Sequence, residues 1–275
     1  VYTILGISET MDNICKEVEA VSDPRPIIDP MRRIKSTKEI QYMQESATIG
    51  ARSHILAMKN AAPGMGEWEI QSNVEGHFIK SKSTWSFPSI VGGGSNATVL
   101  HYKNNDCIVN DGDLVLVDAG CEVNGYASDI TRTWPINGSF TEPQKEIYEL
   151  VLKAEKAGIE ACQVGSPWTK MHRVVSEVIA QGLIELGVLE CSLQEALGDE
   201  TKLDGPFRNF FMHGTGHFLG LDVHDVGGGR QGDPGTPDSL EPGMVLTIEP
   251  GLYFADWRED IEMPERYAGI GIRIE

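Results

Sequence analysis

Residues 113–134 read DLVLVDAGCEVNGYASDITRTW, a pattern that predicts a β-hairpin carrying two acids. Leu114 to Val117 form a continuous apolar run closed by Asp118, and Tyr126 to Thr133 are rich in aromatic and β-branched residues. Between them, Asn124-Gly125 is the two-residue sequence that favours a type I′ turn. If Val123 pairs with Tyr126 across that turn, counting back sets Asp118 opposite Thr131. Asp129, two residues from Thr131, then shares the face of Asp118 and lies diagonal to it. Two like charges on a half-buried face are costly without a cation or a proton to offset them. The bland alternative caps one strand end with one Asp and leaves the other in solvent. A one-residue bulge at Gly120 would also send one acid to the opposite face. The hairpin alone does not choose between these arrangements, so the rest of the chain has to.

Composition sets the class. The 275 residues, 40% hydrophobic and 7% aromatic, are globular in character and long enough for one large domain. No apolar run reaches the roughly 18 residues of a membrane span, which argues against a membrane protein. The chain opens on Val1 in place of an initiator Met or a basic signal region, so an upstream portion is expected. Five cysteines, Cys15, Cys107, Cys121, Cys162 and Cys191, are scattered with no C-x-x-C spacing. Free thiols in a reducing compartment fit that pattern better than a disulfide framework, and the cytoplasm is the expected location. A formal charge of −18 excludes a nucleic-acid surface, which needs clustered Lys and Arg. Most of that charge is expected to be solvated surface.

From Val1 to about Asp29 the chain has a short apolar start, an acidic middle and a proline-rich end at Pro24, Pro26 and Pro30, which reads as the tail of a preceding domain plus a linker. Ser36 with Glu39 forms a capping box ahead of Ile40, Met43, Ala47, Ala51 and Met58 at helical spacing, ending before Pro63-Gly64. A second helix is expected from Glu67 to about Lys82, followed by short β-type runs around a Gly-rich loop and then the acidic hairpin. The order repeats. Thr141 with Gln144 is another capping box, with Pro143 in the first turn and a helix to Val164; Gly165-Ser166-Pro167 restarts a helix through Leu186. From Phe210 onward MHGTGH, MVLTIEPGLY and GIGIRIE read as strands. Two helix-helix-strand halves sharing one sheet, an α+β arrangement, are expected.

The second half offers more candidate ligands. His213, His217 and His224 fall within twelve residues, and the chain has only seven His. His213 and His217 have the spacing of a helical zinc motif, but Gly214 and Gly216 disfavour a helix and no Glu follows His213. Glu249 ends the apolar run MVLTIE before Pro250-Gly251. Glu275 ends GIGIRIE, where Ile270, Ile272 and Ile274 face one side while Arg273 and Glu275 face the other. Each acid alone is as compatible with a strand-end charge as with a site.

Five blocks then stand in order: FPSIVGGGSNATVLHY, GDLVLVDAGCEVNGYASDITRTWP, HGTGHFLGLDVHD, EPGMVLTIEPGLY and GIGIRIE. In these, from about Met31 to the last residue, the chain resembles the pita-bread (M24) metallopeptidase family. The resemblance implies the pita-bread (creatinase/aminopeptidase) fold, an α+β architecture of two pseudo-symmetric halves around a curved antiparallel sheet. Residues 31–275 would be the catalytic domain, and residues 1–30 the remnant of an N-terminal creatinase-like domain plus linker. It implies Asp118, Asp129, His217, Glu249 and Glu275 as ligands of two divalent metal ions, with Asp129 and Glu275 bridging. It also implies that His224 assists proton transfer, that His101 and His213 contact substrate, and that Tyr253 and Arg273 line the site. For Tyr253 packing, and for Arg273 pairing with an acid, are the structural alternatives. Four carboxylates and one imidazole are a hard donor set that suits Mn²⁺ first, with Co²⁺ or Zn²⁺ able to enter.

The activity implied is that of an Xaa-Pro aminopeptidase: a metal-bridging hydroxide attacks the carbonyl between an N-terminal residue and a following proline, with His assistance. Its partners would be peptides with proline at the second position, and a homo-oligomer is compatible with it. An apolar shelf for the proline would draw on Trp85, Phe87 or Phe218, candidates by position only, for each of which plain core packing is the favoured alternative. The rival is a proline dipeptidase restricted to Xaa-Pro dipeptides, to which HGTGH, DVHDVGGG and WTKMHR are similar as well. A metal-free peptide-binding paralogue is the alternative of another class, disfavoured because all five ligand positions are filled.

Overall fold

The computed structural model describes residues 2–18, 20–227 and 236–275. Val1 and the last two glycines of DVHDVGGG, Gly228 and Gly229, lie outside the described residues. Two short helices come first, α1 (Glu9–Cys15) and α2 (Arg25–Arg33), then α3 (Thr37–Asn60) and α4 (Glu67–Lys80). The strands β1 (Thr84–Trp85), β2 (Ile90–Gly93), β3 (Leu114–Asp118), β4 (Cys121–Val123), β5 (Tyr126–Ala127) and β6 (Thr131–Pro135) follow. The second half has α5 (Glu142–Ala161), α6 (Trp168–Glu185), α7 (Leu193–Leu197), β7 (Gly251–Tyr253) and β8 (Gly271–Arg273).

The long helices begin where their caps dictate. At α3 the Ser36 side chain accepts from Glu39 N and Glu39 Oε2 accepts from Ser36 N, satisfying two of the orphan donors of the first turn. Thr141 and Gln144 do the same for α5, with Pro143 in its first turn. The helix expected to Lys82 ends at Lys80, because Lys82 itself turns to φ +59. That expected to Val164 stops at Ala161. The proline-rich stretch that reads as a linker is instead helical: Pro24 is the N-cap of α2 and Pro26 sits in its first turn, where a missing N–H costs nothing. This helix runs across the boundary expected near residue 30.

The hairpin register is the one the turn predicts. Val123 pairs with Tyr126 and Asp118 with Thr131, with Asn124 at φ +53 and Gly125 at φ +82 as a type I′ turn requires. No residue is inserted between the two pairs: Ala119 N donates to Ile130 O and Ser128 N to Cys121 O. The hairpin nevertheless divides its strands between two sheets, β2-β3-β6 and β1-β4-β5. The change of sheet occurs at Gly120, where a Cβ would lie 1.8 Å from Ser128 O, so only glycine permits the approach.

Every ladder between the named strands is antiparallel. β7 pairs with β8, and β8 lies beside β6: Glu275 N donates to Thr131 O, and Thr133 Oγ1 to Arg273 O. This is how the second half meets the first. Residues 244–249, expected as a strand, run extended beside 215–219 with Leu219 N to Val245 O, Thr247 N to His217 O and Glu249 N to Thr215 O. They form one isolated bridge, Phe218 with Leu246, and no regular ladder.

Two clusters back the strands. Ile70, Val74 and Phe78 of α4 pack with Ile49 and Ala57 of α3 against Val115 and Val117 of β3. Ile147 and Val151 of α5 and Ile179 and Leu183 of α6 pack against Leu252 and Ile272. Each such side chain, fully buried, contributes about 1.5–3 kcal/mol relative to exposure. Arg273 and Glu275 therefore project from β8 on the side away from Ile272 and Ile274, as the alternation of GIGIRIE predicts. Among the described residues no helix is long and apolar enough to cross a membrane.

Candidate metal centre

The two halves meet at a cleft of about 910 Å³ lined by Asp118, Asp129, His217, Glu249, Glu275, Arg273, His101, His213 and His224. All five expected ligands thus converge, from the end of β3, the link between β5 and β6, the 213–219 segment, the extended 244–249 run and the residues just after β8. Gly216 makes one of these approaches possible, since a Cβ there would lie 1.9 Å from Thr247 O. Asp129, His217 and Glu275 each bring a ligand atom within 4.8 Å of the others.

Asp118 and Glu275 each have one oxygen held by the protein and one without a partner, and Glu249 is held through the oxygen that also faces His217. Asp118 Oδ2 accepts from Arg273 Nη2 at 2.6 Å, Glu275 Oε2 from Thr131 Oγ1 at 2.9 Å, and Glu249 Oε1 from Thr247 Oγ1 at 3.3 Å. Asp118 Oδ1, Asp129 Oδ1 and Glu275 Oε1 are buried with no hydrogen-bond partner. His217 Nδ1 lies 2.9 Å from the Phe218 carbonyl oxygen, which can only accept, so Nδ1 carries the proton. The lone pair of His217 Nε2 then faces Asp129 Oδ2 and Glu249 Oε1, both at 3.4 Å. A lone pair set among carboxylate oxygens is repulsive unless a cation or a proton lies between them, and imidazoles fixed through a backbone carbonyl are characteristic metal ligands.

The proton affinities agree. Burial, then the charges of Asp118 and Glu249, raise Asp129 well above the ordinary carboxylate range. Burial, then Asp129 and Glu249, do the same to Glu275, and burial raises Glu249. Four acids face a single guanidinium, and a divalent cation is the charge that this donor set fits.

The other expected residues fall into two groups. His101 and His224 are exposed at the cleft, and the His224 ring packs edge-on against His217 with centroids 4.3 Å apart. His213, Tyr253 and Arg273 form a chain behind it. Arg273 Nη1 donates to Tyr253 Oη at 2.9 Å, Tyr253 Oη donates to His213 Nε2 at 2.9 Å, and His213 Nδ1 donates to the Gly214 carbonyl at 2.7 Å. Both His213 nitrogens are therefore occupied, and burial with the nearby Arg273 charge pushes its imidazole down to about 3. Tyr253 is fully buried behind the wall, and Arg273 is committed to Asp118, Tyr253 and Thr131.

The expected apolar shelf is corrected. Phe87 lines the cleft, but Phe218 is fully buried with its ring stacked 4.6 Å from Trp168, and Trp85 stands 47% exposed on β1. Phe218 packs in the core, the favoured alternative for it, because successive side chains of extended backbone point opposite ways and its neighbour His217 faces the cleft. Ile90, Leu100 and Val223 supply the apolar lining instead. Sequence reasoning also missed Thr131 and Thr247, whose only local signal is alternation with the ligands on the same strand face.

A model of metallopeptidase family M24 matches residues 41–275. An Xaa-Pro aminopeptidase of Haemophilus influenzae is 47% identical over 256 residues, 93% of this chain and 57% of that protein. One of Escherichia coli K12 is 44% identical over 254 residues, 92% of this chain and 55% of that protein. A structure of zinc-substituted Escherichia coli aminopeptidase P in complex with product superposes with a TM-score of 0.90 at 40% identity, covering 100% of this chain and 63% of that one. The chain thus spans about half the length of the curated relatives it matches.

Proposed function

The chain belongs to metallopeptidase family M24, and from that premise we propose that it is the catalytic unit of an Xaa-Pro aminopeptidase, removing the residue that precedes a proline at the second position of a peptide. The observation that carries this reading is the group of inward, unpartnered oxygens of Asp118, Asp129 and Glu275 beside a His217 nitrogen bearing a lone pair. With Glu249 these residues would hold a pair of divalent ions, Mn²⁺ first for so oxygen-rich a set. Bound there, the ions supply Lewis-acid polarisation of a carbonyl and a nucleophile at neutral pH.

The chain's own groups do the rest. The acids draw the ammonium end of a peptide into the cleft. Phe87, Ile90, Leu100 and Val223 give the wall an apolar side suited to a proline ring. His224, against His217, hands a proton to the leaving nitrogen. A proline nitrogen in a peptide is tertiary and crowded, so its departure depends on that proton. His101 at the mouth donates to the carbonyl oxygen as charge develops on it. His213 meets substrate through its ring edge, while Arg273 and Tyr253 act from behind by fixing Asp118 and His213. All five cysteines are free, which suits a reducing compartment, and we place the enzyme in the cytoplasm.

The test is hydrolysis of Gly-Pro, of Gly-Pro-Xaa peptides and of a non-proline control by the full-length protein, with Mn²⁺ and after chelation. Cleavage of the longer peptides after the first residue, lost on chelation, is expected. Cleavage of the dipeptide alone would move the assignment to proline dipeptidase, and no metal-dependent cleavage would leave a peptide-binding role.

A further inference from the structure

One ion cluster next to the centre has no part in metal binding or in the proton transfer described above. Asp225 follows His224 directly, yet its side chain turns inward and is 1% exposed. Its Oδ2 accepts from Lys35 Nζ at 3.0 Å and its Oδ1 from Arg32 Nη2 at 2.5 Å. Lys35 is equally buried, and its backbone N donates to Gly243 O. Arg32 reaches on to Asp222 at 2.7 Å. The fold makes room for this clamp: a Cβ on Gly220 would lie 2.1 Å from Asp225 Oδ2 and 2.8 Å from Lys35 Cε.

The backbone of Asp225 carries the cluster to the metal ligand. Asp225 N donates to the Phe218 carbonyl at 2.9 Å, and the same oxygen accepts from His217 Nδ1. A carbonyl oxygen has two lone pairs, and here one serves the loop that bears His224 while the other fixes the tautomer of His217. The two imidazoles meet edge to face because one oxygen orders both chains. A buried ion pair is in general a weak source of stability, since desolvation offsets much of the Coulomb gain. Its burial one residue from His224 therefore calls for a second role.

We propose that Asp225 is a positioning residue: clamped by Lys35 and Arg32, it holds His224 against His217 at the edge of the metal centre. The inference rests on the reading of His224 as proton donor. It makes the segment around α2, 190 residues away in sequence, part of what sets the site.

The experiment uses the full chain and the variants Asp225→Asn, Lys35→Met and Arg32→Met. The first readout is the ring carbon resonance of His224 in metal-free, ¹³C-histidine-labelled protein, identified by its loss in His224→Ala. The second is kcat, KM and bound metal. All three variants are expected to move the His224 resonance. Asp225→Asn should lower kcat by about 10–100-fold, the usual cost of losing a supporting partner, with metal content and KM unchanged. A folded Asp225→Asn protein with the wild-type resonance, or with the wild-type kcat, overturns the proposal. If Asp225→Asn does not fold, Arg32→Met, whose partner remains paired with Lys35, decides the matter by the same readouts. Should the wild type prove inactive on Xaa-Pro peptides, the functional reading fails alone, and the resonance still tests the clamp.

Discussion

Thr131 Oγ1 donates to Glu275 Oε2 over 2.9 Å, so a hydroxyl of the first half sets the orientation of an acid 144 residues later. The same oxygen accepts from Arg273 Nε at 3.1 Å, and Arg273 in turn holds Asp118. One side chain on β6 thus orders acids at the end of β3 and just after β8, and two further contacts, Glu275 N to Thr131 O and Arg273 N to Thr133 Oγ1, fix their register. For Asp118 and Glu275, holding one oxygen aims the other into the cleft.

Thr131→Val keeps the shape and removes the hydroxyl. Glu275 Oε2 and Arg273 Nε are then left buried without this partner, at a cost of about 1–3 kcal/mol in stability. Metal affinity is expected to fall by about 10–100-fold, read by competition with a chelator of known affinity. Unchanged affinity would mean that β6 and β8 hold Glu275 through their backbones alone.

Asp129→Asn separates the demands of folding from those of the metal. In the presence of chelator the substitution removes one of four acids from a buried cluster, and the variant should unfold at a higher temperature than the wild type. Excess Mn²⁺ should reverse the order, because a ligand bound only by the native state stabilises it by about 4 kcal/mol at a thousand times its Kd. Thermal unfolding of both proteins under both conditions checks this. A variant less stable than the wild type under chelation would show that Asp129 carries no repulsion in the metal-free fold.

The hairpin was legible because its determinants are local. The Asn124-Gly125 turn fixes the register, so the pairing of Asp118 with Thr131 could be counted from the residues alone, while a cap or a bulge at Gly120 left the face of Asp129 open until the structure showed no inserted residue. What the residues could not reveal lies in long-range contacts. The strands change sheet at Gly120 because Ser86 reaches in, its N to Gly120 O and its Oγ to Ser128 O, and Ser86 is 42 residues from Ser128. Phe218 stood between a shelf and core packing in the sequence, and the Trp168 ring stacked on it, 50 residues away, decides for packing. The stretch around Pro24, Pro26 and Pro30 read as linker because proline at a helix start, as at Pro24 and Pro26, looks like proline in a loop, and because Pro30, inside α2, is a residue that ordinarily ends a helix.

Gly120→Ala tests the hinge between the two sheets. The new methyl would sit 1.8 Å from Ser128 O, which cannot move without displacing Ser86 or breaking the bond from Ser128 N to Cys121 O. A loss of about 2–4 kcal/mol is expected in denaturant unfolding, in the range of overpacked or strained backbone sites. Because Asp118 and Asp129 flank the hinge on the two sides of the hairpin, metal affinity should fall with stability. Wild-type stability would mean that the strands can part there without cost.

His172 on α6 gives the fold an acid-side liability of its own. Its Nδ1 lies 2.8 Å from Thr215 Oγ1 and its ring packs against Phe211, with centroids 5.8 Å apart. Burial, and then the charge of Arg208, push the imidazole from 6.5 down to about 4. The native state therefore keeps His172 neutral at a pH where an unfolded chain protonates it. The stability that follows is complete above the unfolded value and is lost as the pH falls from there towards the folded one, at about 1.4 kcal/mol per pH unit. His172→Gln keeps a polar partner for Thr215 and removes the titration. Urea unfolding at about pH 7 and about pH 4.5, with chelator in both, should show the wild type losing about 2–3 kcal/mol more than the variant between the two. Equal losses would mean that His172 takes up its proton as readily in the folded chain as in the unfolded one, and that the acid sensitivity of the fold lies in its carboxylates and in His213.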